Sequence, residues 1–264
     1  MTNRFVIIVP ARAASTRLPN KPMISINGRS LISRIIDLAH SSNAINTYIA
    51  TDNIEIKNHV ESLGANVVMT SEEHASGTDR IAEAAKKIDL PMNTPILNLQ
   101  GDEPFMPLQI INKLPMLVSK DAPISTACIG FNEKMDIKNP NEVKVVRSKS
   151  KKAIYFSRSV IPNSFSFDYK NYLKHLWIYA YTNQTLQELS KLDQTTNEKT
   201  ERLEQLRFLD NGFNIFVEDF DYDTPIGIDT PEDLEAAITF AKKNDKWCYL
   251  ILLACRLMQK ILSA

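Results

Sequence analysis

The sequence predicts an α/β protein built on a doubly wound, Rossmann-like, mostly parallel sheet with an antiparallel extension. Three observations carry that expectation. Short β-branched apolar runs alternate with helical periodicity as far as Gln100. The first of these runs ends in a loop crowded with cations. Beyond Gln100 the strand-like runs follow one another with loops between them, which points to antiparallel pairing.

The first run, residues 5–9, reads as a buried strand and stops at Pro10. The loop after it has the spacing R-x-x-S-T-R-L-P-x-K-P and carries Arg12, Ser15, Thr16, Arg17 and Lys21. Small Ala13 and Ala14 let backbone approach a ligand, and no acid precedes Asp37. A cationic loop at the C-terminal end of a strand suits an anion at a sheet crevice. A lone cluster would read as a solvated basic loop; the full spacing favours phosphate. Leu31, Ile32, Ile35, Ile36 and Ala39 then recur at helical spacing. A strand at 47–51 leads to a helix at 54–63, closed by Gly64 as its C′ residue. A strand at 66–69 precedes a helix starting near Thr78 as N-cap, and a strand at 95–100 follows.

Further strands are expected at 124–130, 142–147, 153–157 and 175–181, with a hairpin-like arm around 148–182. A long helix is expected at 199–209 and a strand at 215–218. The last helix opens with Thr230 as N-cap, Pro231 at N1 and acids in its first turn. Residues 1–244 are expected to form a single domain. The segment 245–264 forms a tail whose apolar stretch is too short to span a bilayer.

Of the 264 residues, 44% are hydrophobic and 23% charged, which is ordinary for a globular chain. The formal net charge of zero argues against nucleic-acid coating or a polybasic membrane surface. Its distribution is uneven: residues 210–235 contain nine acids and no base, opposite in sign to the N-terminal segment. Three cysteines without C-x-x-C make neither a zinc site nor a disulfide framework, so a cytoplasmic protein is expected.

Two acidic positions could carry chemistry. Gly101 allows a tight exit from the strand 95–100 and leaves Asp102 at the expected crevice. Asp229 stands just before the N-cap Thr230. Each alone reads equally well as a turn residue. Gln100 fits a base edge or simply a polar strand end. Arg80, on a first helical turn, is poorly placed for the helix dipole, which tilts it toward a ligand.

The loop resembles the signature P-A-R-x-x-S-T-R-L-P-G-K-P of the sugar nucleotidyltransferases, most closely the 3-deoxy-manno-octulosonate cytidylyltransferases. Asn20 replaces the usual glycine, and Asn tolerates positive φ. Ser76–Arg80 (S-G-T-D-R), Q-G-D-E-P, Y-F-S-R, L-E-Q-L-R and G-I-D-T-P-E-D-L fit the same family, and the match runs to about Lys243. The departures are Lys174 for arginine and Trp177 and Ala180 for glycines, within the motif R-H-x-G-I-Y. The resemblance implies the nucleotide-diphospho-sugar transferase fold. It also implies transfer of CMP from CTP to 3-deoxy-manno-octulosonate (Kdo) for lipopolysaccharide, with Mg²⁺ held by Asp102 and Asp229. By the same resemblance Ala11, Arg12, Ser15, Arg17 and Lys21 meet the triphosphate, and Ser76, Arg80 and Gln100 the nucleoside. Arg12, Arg17, Lys21 and Asp102 are then the catalytic set. Arg158 and His175 fall near the sugar acid's carboxylate, and Tyr179, Glu204 and Gln205 also line its site. Relatives of this kind are commonly homodimers. A sialate-type, amino-Kdo or polyol-phosphate enzyme, or a non-catalytic nucleotide-binding relative, are the alternatives.

Overall fold

The computed structural model describes residues 4–13, 18–74, 76–223 and 227–245. Ser15 and Arg17 of the cationic loop, and the tail from residue 246 onward, lie outside the described residues.

Strand β1 (Val6–Ala11) is followed by a short 3₁₀ turn, Lys21–Met23, and a small hairpin of β2 (Ser25–Ile26) and β3 (Arg29–Ser30). Asn20 opens the turn at φ 52, the left-handed conformation that the glycine-to-asparagine departure allows. Helix α1 (Leu31–His40) is capped by the Ser30 hydroxyl, which accepts from the Ser33 N–H. Strand β4 (Asn46–Thr51), helix α2 (Ile54–Ser62) and strand β5 (Asn66–Met69) complete the first half. Gly64, at φ 73, ends α2 as its sequence suggests. Helix α3 (Gly77–Lys87) begins two residues earlier than expected. Ser76 is its cap, accepting from the Asp79 N–H, which leaves Thr78 free for another contact.

Strand β6 (Pro95–Asn98) leads to α4 (Leu108–Lys113), then to β7 (Ile124–Gly130) and a hairpin of β8 (Lys144–Arg147) with β9 (Ala153–Ser157). Strand β10 (Leu173–Thr182) and α5 (Asn183–Leu189) follow. The expected helix at 199–209 is instead two short helices, α6 (Thr196–Glu201) and α7 (Gln205–Asp210). Arg202 between them is left-handed at φ 54, and buried Leu203 turns the chain inward, so helical propensity yields to packing. Strand β11 (Ile215–Phe220) precedes helix α8 (231–245). Thr230 caps α8, with its hydroxyl accepting from the Asp233 N–H while Asp233 accepts from the Thr230 N–H. Helices α4 and α5 have no clear sequence signal; each is less than two turns long, too short to display a stripe.

The main sheet runs β11-β7-β10-β6-β1-β4-β5. β1 pairs in parallel with both β4 and β6, and β7 in parallel with β11. Of these seven strands β10 alone is reversed, antiparallel to both β6 and β7, and the β8–β9 hairpin joins the sheet through β8 beside β10. The later half of the stretch expected as an arm thus enters the middle of the sheet. Period-two alternation on β1 sends Phe5, Ile7 and Val9 to a core shared with α1, α2, α4 and α8. Val6 and Ile8 face the opposite core, with α3, α5 and α7. Helices cover both faces, as a doubly wound sheet requires. The strand order reverses between β1 and β6, so their C-terminal exits open a crevice there.

Helix α8 is fixed by its last described residue. The Arg34 guanidinium is buried, donates to the Ile26 carbonyl, and meets the Asp245 carboxylate at 2.6 Å. The boundary expected at residue 244 therefore cuts away an anchor of the fold. Asp245→Ala should lower unfolding stability by about 1–2 kcal/mol, because a buried guanidinium loses its anion while its carbonyl partner stays. Urea denaturation monitored by circular dichroism tests this, and an unchanged midpoint would show the pair to be dispensable.

Candidate active site

The crevice at the switch point is closed by close backbone approach. A Cβ placed on Gly101 would stand 2.8 Å from the Pro10 carbonyl oxygen, so only glycine lets the β6 exit lie against the end of β1. The Ile228 N–H donates to the Asp102 carbonyl at 3.0 Å and brings the segment before α8 to the same place.

Lys21 occupies the centre. Its ammonium donates to Asp102 Oδ2, to Asp229 Oδ1 and to the Ile228 carbonyl, each at 2.9 Å. Burial disfavours the charge, but Asp102 and Asp229 outweigh it and raise the pKa of Lys21 above the ordinary lysine value. Around this centre a cleft of about 290 Å³ is lined by Ala11, Arg12, His74, Ser76, Arg80 and Gln100, among others. Arg80 is not at the surface: it is buried, donates to the Thr70 hydroxyl at 2.6 Å and pairs with Asp52. His74 pairs with Glu83 on the same wall. Burial opposes the charge of Glu83, yet hydrogen bonds from Lys87, the Ser71 N–H and His74 hold its carboxyl down at about 2.

A second cleft of about 860 Å³ adjoins the first and shares Gly77, Gln100, Asp102 and Asp229 with it. One wall is a ladder of alternate residues on β10, namely His175, Trp177, Tyr179 and Tyr181. The facing wall comes from the α6–α7 break, which directs Glu204 and Gln205 inward. Glu204 accepts from the Thr78 hydroxyl at 2.7 Å and from Arg207 at 2.9 Å. Its carboxyl is raised by burial, an effect that hydrogen bonds from Thr78 and Ser76 and the Arg207 charge only partly offset. Buried Glu103 is pushed up to about 8 by burial and then by the neighbouring Asp102 charge.

Four buried polar atoms on this cleft have no hydrogen-bond partner among the described residues. They are Glu103 Oε2, His175 Nδ1, Tyr179 Oη and Gln205 Nε2. Orphaned buried polar groups are rare in folded proteins, so several converging on one cleft match a ligand rich in hydroxyls. His175 shows what one of them offers. The Thr126 hydroxyl stands 2.7 Å from the Ile178 carbonyl and 3.0 Å from His175 Nε2. Its single proton goes to the carbonyl, so its oxygen accepts from Nε2–H and Nδ1 is left as an acceptor. Burial lowers the imidazole pKa to about 3 and keeps it neutral. That state suits a hydroxyl donor better than a carboxylate.

Thus the structure gathers Ala11, Arg12, Lys21, Ser76, Arg80, Gln100, Asp102 and Asp229 at the first cleft, and His175, Tyr179, Glu204 and Gln205 at the second. It does not bring Arg158 to either. The Arg158 guanidinium donates to the carbonyls of Glu201, Pro140 and Arg202, which braces the loops behind the second cleft. Sequence reasoning missed Glu103, His74, Tyr181 and Asn98. Tyr181 was within reach, since period-two alternation from Tyr179 puts it on the same face. His74 had no signal.

A switch-point crevice that joins a cationic cleft to a hydroxyl-seeking one defines a nucleotidyltransferase, an enzyme that moves a nucleotide onto a polyhydroxylated acceptor. Comparison narrows the class. The cytidylyltransferase family profile matches residues 6–220. The 3-deoxy-manno-octulosonate cytidylyltransferase of Polynucleobacter necessarius is 41% identical over 236 residues, 88% of this chain and 93% of that protein. Its counterpart in Parabacteroides distasonis is 42% identical over 248 residues, 90% of this chain and 98% of that protein. A solved structure of CMP:2-keto-3-deoxy-manno-octonic acid synthetase complexed with CTP aligns with a TM-score of 0.84 at 34% identity. That alignment covers 91% of this chain and 99% of that one. The chain belongs to the cytidylyltransferase family, among the 3-deoxy-manno-octulosonate cytidylyltransferases.

The neutral His175 makes a pH prediction. Its pKa falls from 6.5 to about 3 on folding, so the unfolded chain binds the extra proton within that window. The stability it contributes is complete above the unfolded value and is lost as pH falls toward the folded one. His175→Gln should flatten the acid limb of stability against pH by about 1.4 kcal/mol per pH unit. Urea titrations across that range test it; an unaltered limb would mean that the imidazole is not desolvated.

Proposed function

We propose that the protein transfers CMP from CTP to 3-deoxy-manno-octulosonate, releasing pyrophosphate and supplying CMP-Kdo for lipopolysaccharide. The observation that carries the reading is the continuity of the two clefts, which share Gln100, Asp102 and Asp229, with Lys21 holding the two carboxylates from the first. A donor nucleotide in the first cleft and a polyol acid in the second would meet there. The acceptor's anomeric hydroxyl attacks the α-phosphorus; a new P–O bond forms as the bond to pyrophosphate breaks on the opposite side. Arg12 and Lys21 offset phosphate charge, with Arg17 and Ser15 assigned beside them by their place in the loop motif. In this reading Gln100 meets the base edge, and Ser76 and Arg80, which line the same cleft, contact the nucleoside. His175, Tyr179, Glu204 and Gln205 orient the acceptor's hydroxyls.

The two carboxylates fit Mg²⁺. Both are hard oxygen donors already converging on one cationic centre, and Mg²⁺ commonly takes one or two carboxylates together with substrate phosphates. When bound at Asp102 and Asp229, the ion would stabilise charge on the phosphates and activate the attacking hydroxyl. For Arg158 to reach the sugar acid's carboxylate, its fork must first release the three carbonyls it now holds. Lys174, paired with Glu142, is a cation already on the cleft wall.

The reading extends to the whole molecule. The described residues as far as α8 are read as a single catalytic domain. A homodimer is supported by exposed Ile154, Val160, Phe165 and Phe167, which fall on β9 and the loop after it. No described helix is long and apolar enough to cross a membrane, and a cytoplasmic location fits the cysteine pattern.

Pyrophosphate release from CTP with a panel of sugar acids tests the activity. Turnover with Kdo is expected; turnover with another acid and none with Kdo would refute it. Asp102→Asn and Asp229→Asn should each lower kcat on the order of 10²–10³-fold, with partial rescue by excess Mg²⁺. Near wild-type turnover of Asp102→Asn at limiting Mg²⁺ would remove the metal assignment. Lys21→Met should tighten Mn²⁺ binding by the nucleotide-free protein roughly tenfold, because an internal ammonium no longer competes for the carboxylates. Paramagnetic resonance titration measures this, and equal affinities would contradict the competition.

A further inference from the structure

Trp177 is the largest apolar side chain that β10 brings to the second cleft. It is half-buried, lines the second cleft, and sits edge-on to His175 with ring centroids 5.4 Å apart at 69°. Its position is built by the backbone. Along β10, Leu176 pairs with Ala127 of β7, yet the next pair is Tyr179 with Thr126, so Trp177 and Ile178 form a bulge without partners on β7. Thr126 pins that bulge, with its hydroxyl 2.7 Å from the Ile178 carbonyl and 3.2 Å from that of Leu176. Bulges beside active sites re-aim side chains. Here the inner part of the indole packs on the core shared with α3 and α7, and the rest faces the cleft.

The cleft therefore presents two kinds of surface. Orphaned polar atoms at His175, Tyr179, Gln205 and Glu103 ask for hydroxyls. The indole instead offers an apolar plate, suited to the C–H face of a carbon chain. Because the bulge and the His175 contact hold it, the plate cannot yield readily to a larger group.

We propose that Trp177 sets acceptor specificity: its indole is the wall against which the carbon chain of the sugar acid lies, and it limits the size of acceptor admitted. The proposal rests on the assignment of the second cleft to the acceptor.

Steady-state kinetics of Trp177→Ala and Trp177→Phe test it, with CTP and either Kdo or N-acetylneuraminate, a nine-carbon acid bearing an acetamido group. Trp177→Ala should raise KM for Kdo about tenfold and raise the kcat/KM ratio of the larger acid over Kdo by about tenfold or more. KM for CTP should stay within about twofold, the scale of a contact that the nucleotide does not make. Trp177→Phe should keep most Kdo activity and shift the ratio less. Only one other tryptophan, Trp247, is present, so in a Trp247→Phe background the emission of Trp177 should change on adding Kdo and not on adding CTP. That measurement decides the matter should the alanine variant fail to fold. An unchanged Kdo KM with an unchanged acceptor ratio would overturn the proposal, as would emission that responds to CTP alone. No turnover by the wild type with either acid would instead refute the cleft assignment.

Discussion

Three segments far apart in sequence meet because one ammonium needs three acceptors. Lys21 leaves the β1 loop to reach Asp102 at the β6 exit and Asp229 with the Ile228 carbonyl before α8. The Lys21 side chain is 16% exposed, but Asp229 is 51% exposed, so solvent screens much of this network. Its contribution to stability is correspondingly small, and what it supplies is arrangement. Like-charged Asp102 and Asp229 are held facing one another without repulsion, ready for any other cation that competes better.

Everything behind that centre is geared to rigidity. Gly101 lies against Pro10, the Asp102 carbonyl accepts from Ile228, and α8 is clamped by Arg34 and Asp245. Arg80 contributes from below: with Asp52 and Thr70 it ties α3 to the ends of β4 and β5. The floor of the first cleft is therefore set by a buried charge pair, whereas its rim carries exposed Arg12.

The second cleft depends on the reversed strand. Were β10 parallel to its neighbours, its residues would meet the crevice in the opposite order. Reversed and bulged, it carries His175, Trp177, Tyr179 and Tyr181 along one wall in steps of two. The break between α6 and α7 has the same consequence opposite, where a continuous helix would carry Glu204 and Gln205 past the cleft on a solvent-directed face.

Much of this was legible in the chain. Local periodicity and cap chemistry located β1, α1, α2 and the start of α8, and Asn20 could be assigned to a left-handed turn, because each depends on neighbours a few residues away. The two aspartates joined the loop at one crevice only through the family resemblance, since each alone reads equally well as a turn residue. What the chain alone could not decide were pairings across the fold. Arg80 could be read as a surface cation until Asp52 and Thr70 enclosed it, and Arg158 as a ligand contact until backbone carbonyls took its donors. Whether Lys21 faces phosphate or carboxylate, and whether 199–209 bends, turn on distances between segments and on burial of single residues such as Leu203. Propensity and pattern are local energies of a few tenths of a kcal/mol per residue, while these choices are made by desolvation and packing, which exist only once the chain has closed on itself.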